Sequence, residues 1–442
     1  MDFDPLLGLD PDFLLEREVR LSASAIWDLQ RRYYTDNADS FSSGTVPLYA
    51  TTNPFVARAY ARLIAAFAED CGDQPLTIVE LGAGHGRFGF LLHQQLQGRL
   101  RVPLRYVLTD VTGHSLDTWA AHPRLAPLIA QGSVDLALFD AEQDTAIHTR
   151  GGATISPEAP CGPLVVIASY VFDSLVHDAF RIHDGRLEEG QISLVSDAPW
   201  PTLDDDDLLD RLSTLFTFSA LADPAVYGEA VRDDMLAFYA RNLTDRTFSF
   251  PVGAMRCLQA VERMSTQPAL VLSLDKADNH LAQLQARDSL RMTMHGSSSM
   301  TVNHDALGRF VTGRGGGVLL SSARSASVDS AAFVLGASAG ARLKTTFQDD
   351  IEHFSPGDYL ALYMAYTPQP LAANLKLMRM AGWDPRWLGE MAASMLESLG
   401  DASDEQKTEL RAGLVKADAQ RFSIGALAPA DPALTALRAA LG

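Results

Sequence analysis

The sequence predicts an α/β fold: a doubly wound, mostly parallel sheet of seven strands, Rossmann-like, with a hairpin and helical insertion and a C-terminal helical region. Three observations predict it. Apolar runs of strand length recur between amphipathic stretches from Leu76 onward, the pattern of parallel strands buried on both faces. The first run leads directly into residues 77–90, TIVELGAGHGRFGF, which read as strand, glycine-rich turn and apolar-faced helix. Acidic residues then close several runs, at Asp110, Asp140 and Asp275.

Taken in order, residues 21–34 are expected to form a helix and 35–46, rich in Asp, Ser and Gly, a loop. Asn53 can cap a helix that opens on Pro54, as both residues prefer. Val56, Tyr60, Leu63, Ile64 and Phe67 then share one helical face. Just ahead of it, Tyr49, Thr51 and Thr52 either pack onto the core or cover a cofactor. Four strands follow, at 76–81, 104–109, 134–139 and 164–168, the last followed by SYVFDSL. Phe88, Leu91, Leu92 and Leu96 mark the buried stripe of the helix after the first. Residues 179–182 and 191–195, around HDGRLEEG, are expected to form a hairpin. Residues 196–265 read as mostly helical, with 225–243 one helix and the acidic run 204–207 the start of another, where carboxylates are favourable. A fifth strand, 269–274, ends in Asp275. After a polar stretch, 295–310, come the last two strands, 317–320 and 331–335. From Phe354 onward the chain reads as helices, with starts at Ser355-Pro356 and Asp384-Pro385 and ends at Gly382 and Gly400. The expected organisation is an N-terminal helical segment over the cofactor site (1–70), a core (71–345) with a substrate insertion at about 178–265, and a C-terminal helical region (346–442).

Of the 442 residues, 36 are Lys or Arg and 55 are Asp or Glu, a net charge of −19. Such a chain repels phosphate backbones and shows no basic cluster, so no nucleic-acid partner is expected. Cys71, Cys161 and Cys257 are widely separated, and the histidines lack zinc-site spacing, so neither a disulfide framework nor a metal is expected. The start, MDFDPLLGLDPDFLLER, lacks a basic region and a continuous apolar core, and no run is long enough to span a bilayer. A cytoplasmic protein without a membrane partner is the simplest expectation; a homodimer is compatible with it.

The glycine turn fits two cofactor classes. Read from the strand end, Gly82, Gly84 and Gly86 alternate; read as a dinucleotide fingerprint, Gly84, Gly86 and Gly89 start two residues late. Glu80 decides between them. A carboxylate two residues before Gly82 would repel a pyrophosphate, whereas S-adenosylmethionine (SAM) carries a sulfonium and an ammonium. Asp110, ending the second strand, is placed to accept both ribose hydroxyls, each charge-assisted bond being worth roughly 1.5–3 kcal/mol. Asp140, ending the third and followed by Ala141, is placed to meet the adenine amino group. The expected cofactor contacts are Glu80, Gly82, Ala83, Gly84, Gly86, Asp110, Asp140 and Ala141.

With those residues in hand, the chain resembles the class I SAM-dependent methyltransferases, and within them the MidA family of complex I assembly-factor methyltransferases. That family's ELGPGxG turn is similar to ELGAGHG at residues 80–86. Its ANEFFDALP motif is similar to ASYVFDSLV at 168–176, and a hairpin follows in both. TAHVDF is echoed by TVNHDA at 301–306, and a TAPEIS-like segment by residues 50–56. The family's Asn-Glu is Ser169-Tyr170 here, its Pro is Val176, and its later His aligns with Asn303. The resemblance covers roughly residues 45–340 and implies methylation of protein arginine, though the family's Glu, which would hold or deprotonate a guanidinium, is missing.

Methyl transfer mainly needs the acceptor held in line behind the methyl group, and a base only when the acceptor is protonated. The segment after the fourth strand supplies Ser169, Tyr170 and Asp173 as catalytic candidates. Tyr170 either orients an acceptor or packs; Asp173 either accepts a proton or caps the next helix. Asn303 and Asp305 are secondary candidates. Three functions follow: methylation of a protein side chain, methylation of a small molecule at O or N, or a SAM-binding assembly protein without catalysis.

Overall fold

The computed structural model describes residues 8–36, 48–72, 74–205, 207–221, 225–287, 289–294, 297–322, 328–423 and 432–442. At its centre lies one large, mostly parallel sheet. Its principal strands are β1 (Leu76–Glu80), β2 (Leu104–Asp110), β3 (Val134–Leu138), β4 (Leu164–Ser169), β5 (Ala269–Asp275), β6 (Gly317–Leu320) and β7 (Asp329–Leu335). They lie in the order β3-β2-β1-β4-β5-β7-β6, with β1 to β5 parallel and β7 antiparallel to both neighbours. The seven expected strands are all present, but the sheet has nine. Ile147–Thr149 and Thr154–Ile155, too short to read as strands, extend the β3 edge in antiparallel fashion.

Each central strand is buried on both faces because two apolar layers cover it. Ile78, Tyr106, Leu108, Val165 and Ile167 face the layer that holds α1 (Pro54–Asp70), α2 (Arg87–Leu96) and the C-terminal helices. Val79, Val107, Val166 and Ala168, at the alternate positions, face α3 (Val252–Arg263), α4 (His304–Gly313) and a second sheet. Period-two alternation along a strand sorts the side chains this way. The cap expected on α1 is present: Asn53 Oδ1 accepts the Val56 N–H at 2.9 Å, and Asn53 Nδ2 donates to the Tyr49 carbonyl at 2.8 Å.

The second sheet differs most from expectation. It has five strands: Leu14–Arg20, Asp178–His183, Arg186–Ser196, Leu212–Ala220 and Arg246–Phe250. The hairpin is longer than predicted, since only Asp184 and Gly185 form its turn, with φ of 47° and 72°. Left-handed values at both positions suit the twist of a two-residue turn, and Asp-Gly tolerates them. The charged stretch Leu187–Glu189, expected in the loop, is strand. Two strands, Leu212–Ala220 and Arg246–Phe250, also interrupt the region expected to be mostly helical; within it, helices run over Ala230–Asn242 and α3. The acidic run leads only into the one-turn helix Leu208–Arg211, and Asp207 gives it no side-chain cap. Near the N-terminus, Leu14–Arg20 is strand and the helix begins at Ile26 rather than residue 21. Arg20 ties that strand to the hairpin through two bonds to Asp178, of 3.1 and 2.7 Å. The loop predicted at 35–46 lies, from residue 37 on, outside the described residues, as do His295 and Gly296.

C-terminal to the sheet the chain is helical, as predicted. Helix α5 (Pro356–Met364) opens on a capping box at Ser355 and Asp358, and α6 (Pro385–Glu397) opens on Asp384, which accepts the Arg386 N–H. Among the described residues, no helix is long and apolar enough to cross a membrane.

Candidate functional site

The chain runs from β1 outward through β2 and β3, then returns across β1 to β4. The crevice of an open parallel sheet lies at the carboxyl ends of the strands where this reversal occurs. A cavity of ≈160 Å³ opens there, lined by Glu80, Leu81, Gly82 and Ala83 after β1 and by Ile167 and Ser169 of β4. Tyr49, Thr51 and Thr52 form a second wall, His85, Arg87 and Phe88 a third, and Arg386 of α6 a fourth.

The turn itself is built from left-handed backbone. Gly82, Gly84 and Gly86 have φ of 54°, 55° and 74°, a conformation that costs side-chain-bearing residues energy but glycine almost none. Gly82 is exposed, and a Cβ added there would meet nothing nearer than Val171 at 3.7 Å. Gly86 is the opposite case: a Cβ would lie 2.9 Å from Leu125 Cδ1 and 3.0 Å from Trp119 Cδ1. The Trp119 indole N–H donates to the Gly84 carbonyl at 2.9 Å, which locks the turn.

Glu80 is buried beneath the turn, and its Oε2 accepts from Tyr106 Oη at 2.7 Å. Burial pushes its carboxyl up to about 8, against the smaller opposing effect of that bond. Asp110 closes β2, receiving the Gly84 N–H on Oδ2 and the Thr112 N–H on Oδ1, each at 3.3 Å. Burial raises it to about 6, and these backbone donors oppose the rise. Asp140 lies two residues beyond β3. Its Oδ1 accepts the Glu142 N–H at 2.8 Å and its Oδ2 accepts from Arg31 Nε at 3.2 Å. Ala141 packs against the second apolar layer. The cavity thus gathers Glu80, Gly82 and Ala83; Gly84 and Asp110 adjoin it through their shared hydrogen bond, while Asp140 and Ala141 lie at the β3 edge.

Of the three candidates after β4, Ser169 ends the strand and lines the cavity, whereas Tyr170 and Asp173, in the segment that follows, do not line it. The Oγ of Ser169, buried, makes no complete hydrogen bond. Tyr170 sits in the left-handed region at φ 52°, held by its N–H to the Leu274 carbonyl at 3.1 Å, and its ring packs against the first apolar layer. A non-glycine residue in that region carries strain of order 1–3 kcal/mol, which tends to gather at functional sites. Asp173 caps no long helix; it lies inside a single turn, Phe172–Ser174. Its N–H points to Asp275 Oδ2 at 3.4 Å, and its Oδ1 accepts from Ser174 Oγ at 2.9 Å. Asp275, fully buried, was legible only as a strand end; the structure makes it the partner of Asp173. Burial raises Asp173 to about 6, and burial together with the Asp173 charge raises Asp275 well above the ordinary carboxylate range. Two carboxyls sharing one buried site disfavour ionising together, so burial and mutual repulsion both act on the pair.

Asn303 and Asp305 belong elsewhere. Asn303 caps α4 through the Ala306 N–H at 2.9 Å, and Asp305 accepts from Tyr239 Oη at 2.7 Å and Arg309 Nε at 2.6 Å, on the other side of the sheet. Neither lines the cavity. The side chains that sequence reasoning missed are Arg87 and Arg386. A cation directly after the glycine turn was the available signal for Arg87; nothing marked Arg386.

The residues present fit SAM on observations of this site. An exposed glycine leaves its backbone open to a ligand, two arginines face the cavity, and the buried Nε of Arg87 and Oγ of Ser169 have no hydrogen-bond partner.

No family model matches the chain, and no curated protein matches it. Among solved structures, it is similar to an uncharacterized protein from Burkholderia thailandensis, 18% identical over 69% of this chain and 73% of that one, with a TM-score of 0.45. A candidate methyl transferase of the same organism, bound to S-adenosyl-homocysteine, is also 18% identical, over 62% of this chain and 64% of its own, with a TM-score of 0.41. The pyocyanin biosynthetic protein PhzM is 11% identical over 69% and 68%, with a TM-score of 0.31. Likeness at this level carries no argument about activity, which rests on the geometry of the site.

Proposed function

We propose that this protein is a SAM-dependent methyltransferase. The observation that carries the proposal is the turn of three left-handed glycines after β1, opening on a cavity between β1 and β4. SAM, when bound, supplies a methyl group on a sulfonium. The chain's part is to hold it and to place the acceptor. Gly82 to Gly86 would admit the cofactor backbone-to-ligand, and Asp110 and Asp140 would serve the adenosine end.

We take a protein side chain, arginine included, as the acceptor of this reading. The MidA-like resemblance implies it, and the Asp173–Asp275 pair supplies a carboxylate after β4 although Tyr170 replaces the family's Glu. An ionised Asp173 can hold a guanidinium by charge-assisted bonds or take a proton from an attacking nitrogen at its carboxylate. Ser169 and Tyr170 would orient the same group. A catalytically inactive assembly protein would need no such polar cluster, so these residues speak against that alternative.

The test is incubation of cell extract with methyl-labelled SAM and the purified protein, beside a Gly84→Arg control. A labelled protein band supports the proposal. Label only in small metabolites would move the acceptor to that class. No label above the control, with tight cofactor binding intact, would refute catalysis.

A further inference from the structure

The cavity is more cationic than a chain of net charge −19 leads one to expect. Of its lining residues, Arg87 and Arg386 are basic and Glu80 alone is acidic, and burial keeps Glu80 largely protonated at neutral pH. Arg386 comes from the C-terminal helical region, which the resemblance does not reach. Its guanidinium is held in place without being neutralised. It lies 4.6 Å from the centre of the Tyr49 ring, and its Nε donates to Tyr363 Oη at 3.0 Å. Among the described residues its two terminal nitrogens have no acceptor. The buried Nε of Arg87 has none either. Arg386, positioned by Tyr49 and Tyr363, and Arg87, within electrostatic reach of the buried Asp384 but with its Nε unpaired, together offer the donors a carboxylate needs.

The position within the cavity says which carboxylate. These residues meet the ends of β1 and β4, on the side of Ser169, whereas Asp110 and Asp140 lie toward β2 and β3. A ligand with its ribose toward Asp110 has its other end here. We infer that Arg386, with Arg87, binds the carboxylate of the cofactor's amino-acid end, so that the C-terminal helices are part of the cofactor site. This rests on the SAM reading above.

The test uses the full chain and two ligands that differ at this end. S-adenosylhomocysteine carries the amino-acid carboxylate; 5′-methylthioadenosine lacks it. Titration calorimetry on wild type and Arg386→Gln is expected to show S-adenosylhomocysteine weakened about tenfold or more, with 5′-methylthioadenosine unchanged. Unchanged methylthioadenosine affinity also proves the variant folded, and Arg386→Lys should recover part of the loss. Equal affinity of wild type and variant for S-adenosylhomocysteine overturns the inference and leaves the SAM reading standing. So does a variant whose only defect is a raised KM for the acceptor, since the cation then serves an acceptor carboxylate. Should neither ligand bind wild type, the SAM reading and the inference fall together.

Discussion

Glu80→Gln tests the electrostatics beneath the turn directly. The change keeps the shape and leaves an oxygen to accept from Tyr106 Oη, but removes ionisation. In the folded protein burial raises Glu80 from its ordinary 4.5 to about 8. Between those values the folded state holds a proton that the unfolded state has released, so stability falls as pH rises and levels off above pH 8. Integrated from pH 6 to pH 8, with half the folded molecules ionised at the upper limit, the loss is about 2 kcal/mol. Glu80→Gln lacks this contribution. Urea denaturation followed by tryptophan fluorescence, on both proteins at pH 6, 7 and 8, should therefore show their stabilities diverging by about 2 kcal/mol in favour of the variant. Parallel pH dependences would show that Glu80 is ionised in the folded protein, and the reasoning about its burial would be wrong.

Two further outcomes follow from the same geometry. On the proposed role of Asp173 as a carboxylate whose burial raises it to about 6, kcat/KM should rise with pH through about 6; Asp173→Asn should lower it and flatten that limb, which pH-rate profiles with the identified acceptor would check. Gly86→Ala forces a Cβ to 2.9 Å from Leu125 at φ 74°, so thermal unfolding should reveal a loss of roughly 1–3 kcal/mol, and S-adenosylhomocysteine titration a weakened site.

How far the sequence discloses such a site depends on whether its residues announce themselves locally. The central strands are legible because burial on both faces leaves unbroken apolar runs such as LVVIAS and ALVLSLD. The glycine turn is legible because backbone conformation is a local property. Strands of the second sheet are half exposed. Arg186–Ser196 carries RLEEG before its apolar half, and Leu212–Ala220 is only partly buried, so neither shows a clean period. Asp275 and Asp173 are each an ordinary strand-end or turn acid in sequence; only the parallel pairing of β4 with β5 brings them together, though they lie 102 residues apart. No pattern in α6 distinguishes Arg386 from any surface arginine at a helix start.

What fixes Arg386 is therefore tertiary, and it can be traced. Tyr49 Oη donates to Asp384 Oδ2 at 2.8 Å, and Tyr359 Oη reaches the same oxygen at 3.2 Å. Asp384 Oδ1 in turn accepts the Arg386 N–H at 2.8 Å, which sets the first turn of α6. Behind it, Trp383 fills the space over Gly413, where an added Cβ would come within 1.9 Å of the ring, so the last helices pack against α6 with no slack. Arg58 of α1 donates to the Met380 carbonyl at 3.2 Å, and Gln94 of α2 to the Ala419 carbonyl at 3.0 Å. These bonds tie the C-terminal region to the two helices that flank the glycine turn. Tyr49, just ahead of the cap of α1, thus joins the two parts: its hydroxyl fixes α6 while its ring carries the Arg386 guanidinium over the cavity. The C-terminal region is thus bonded to the helix that follows the glycine turn, and it adds the cavity wall that the turn alone does not provide.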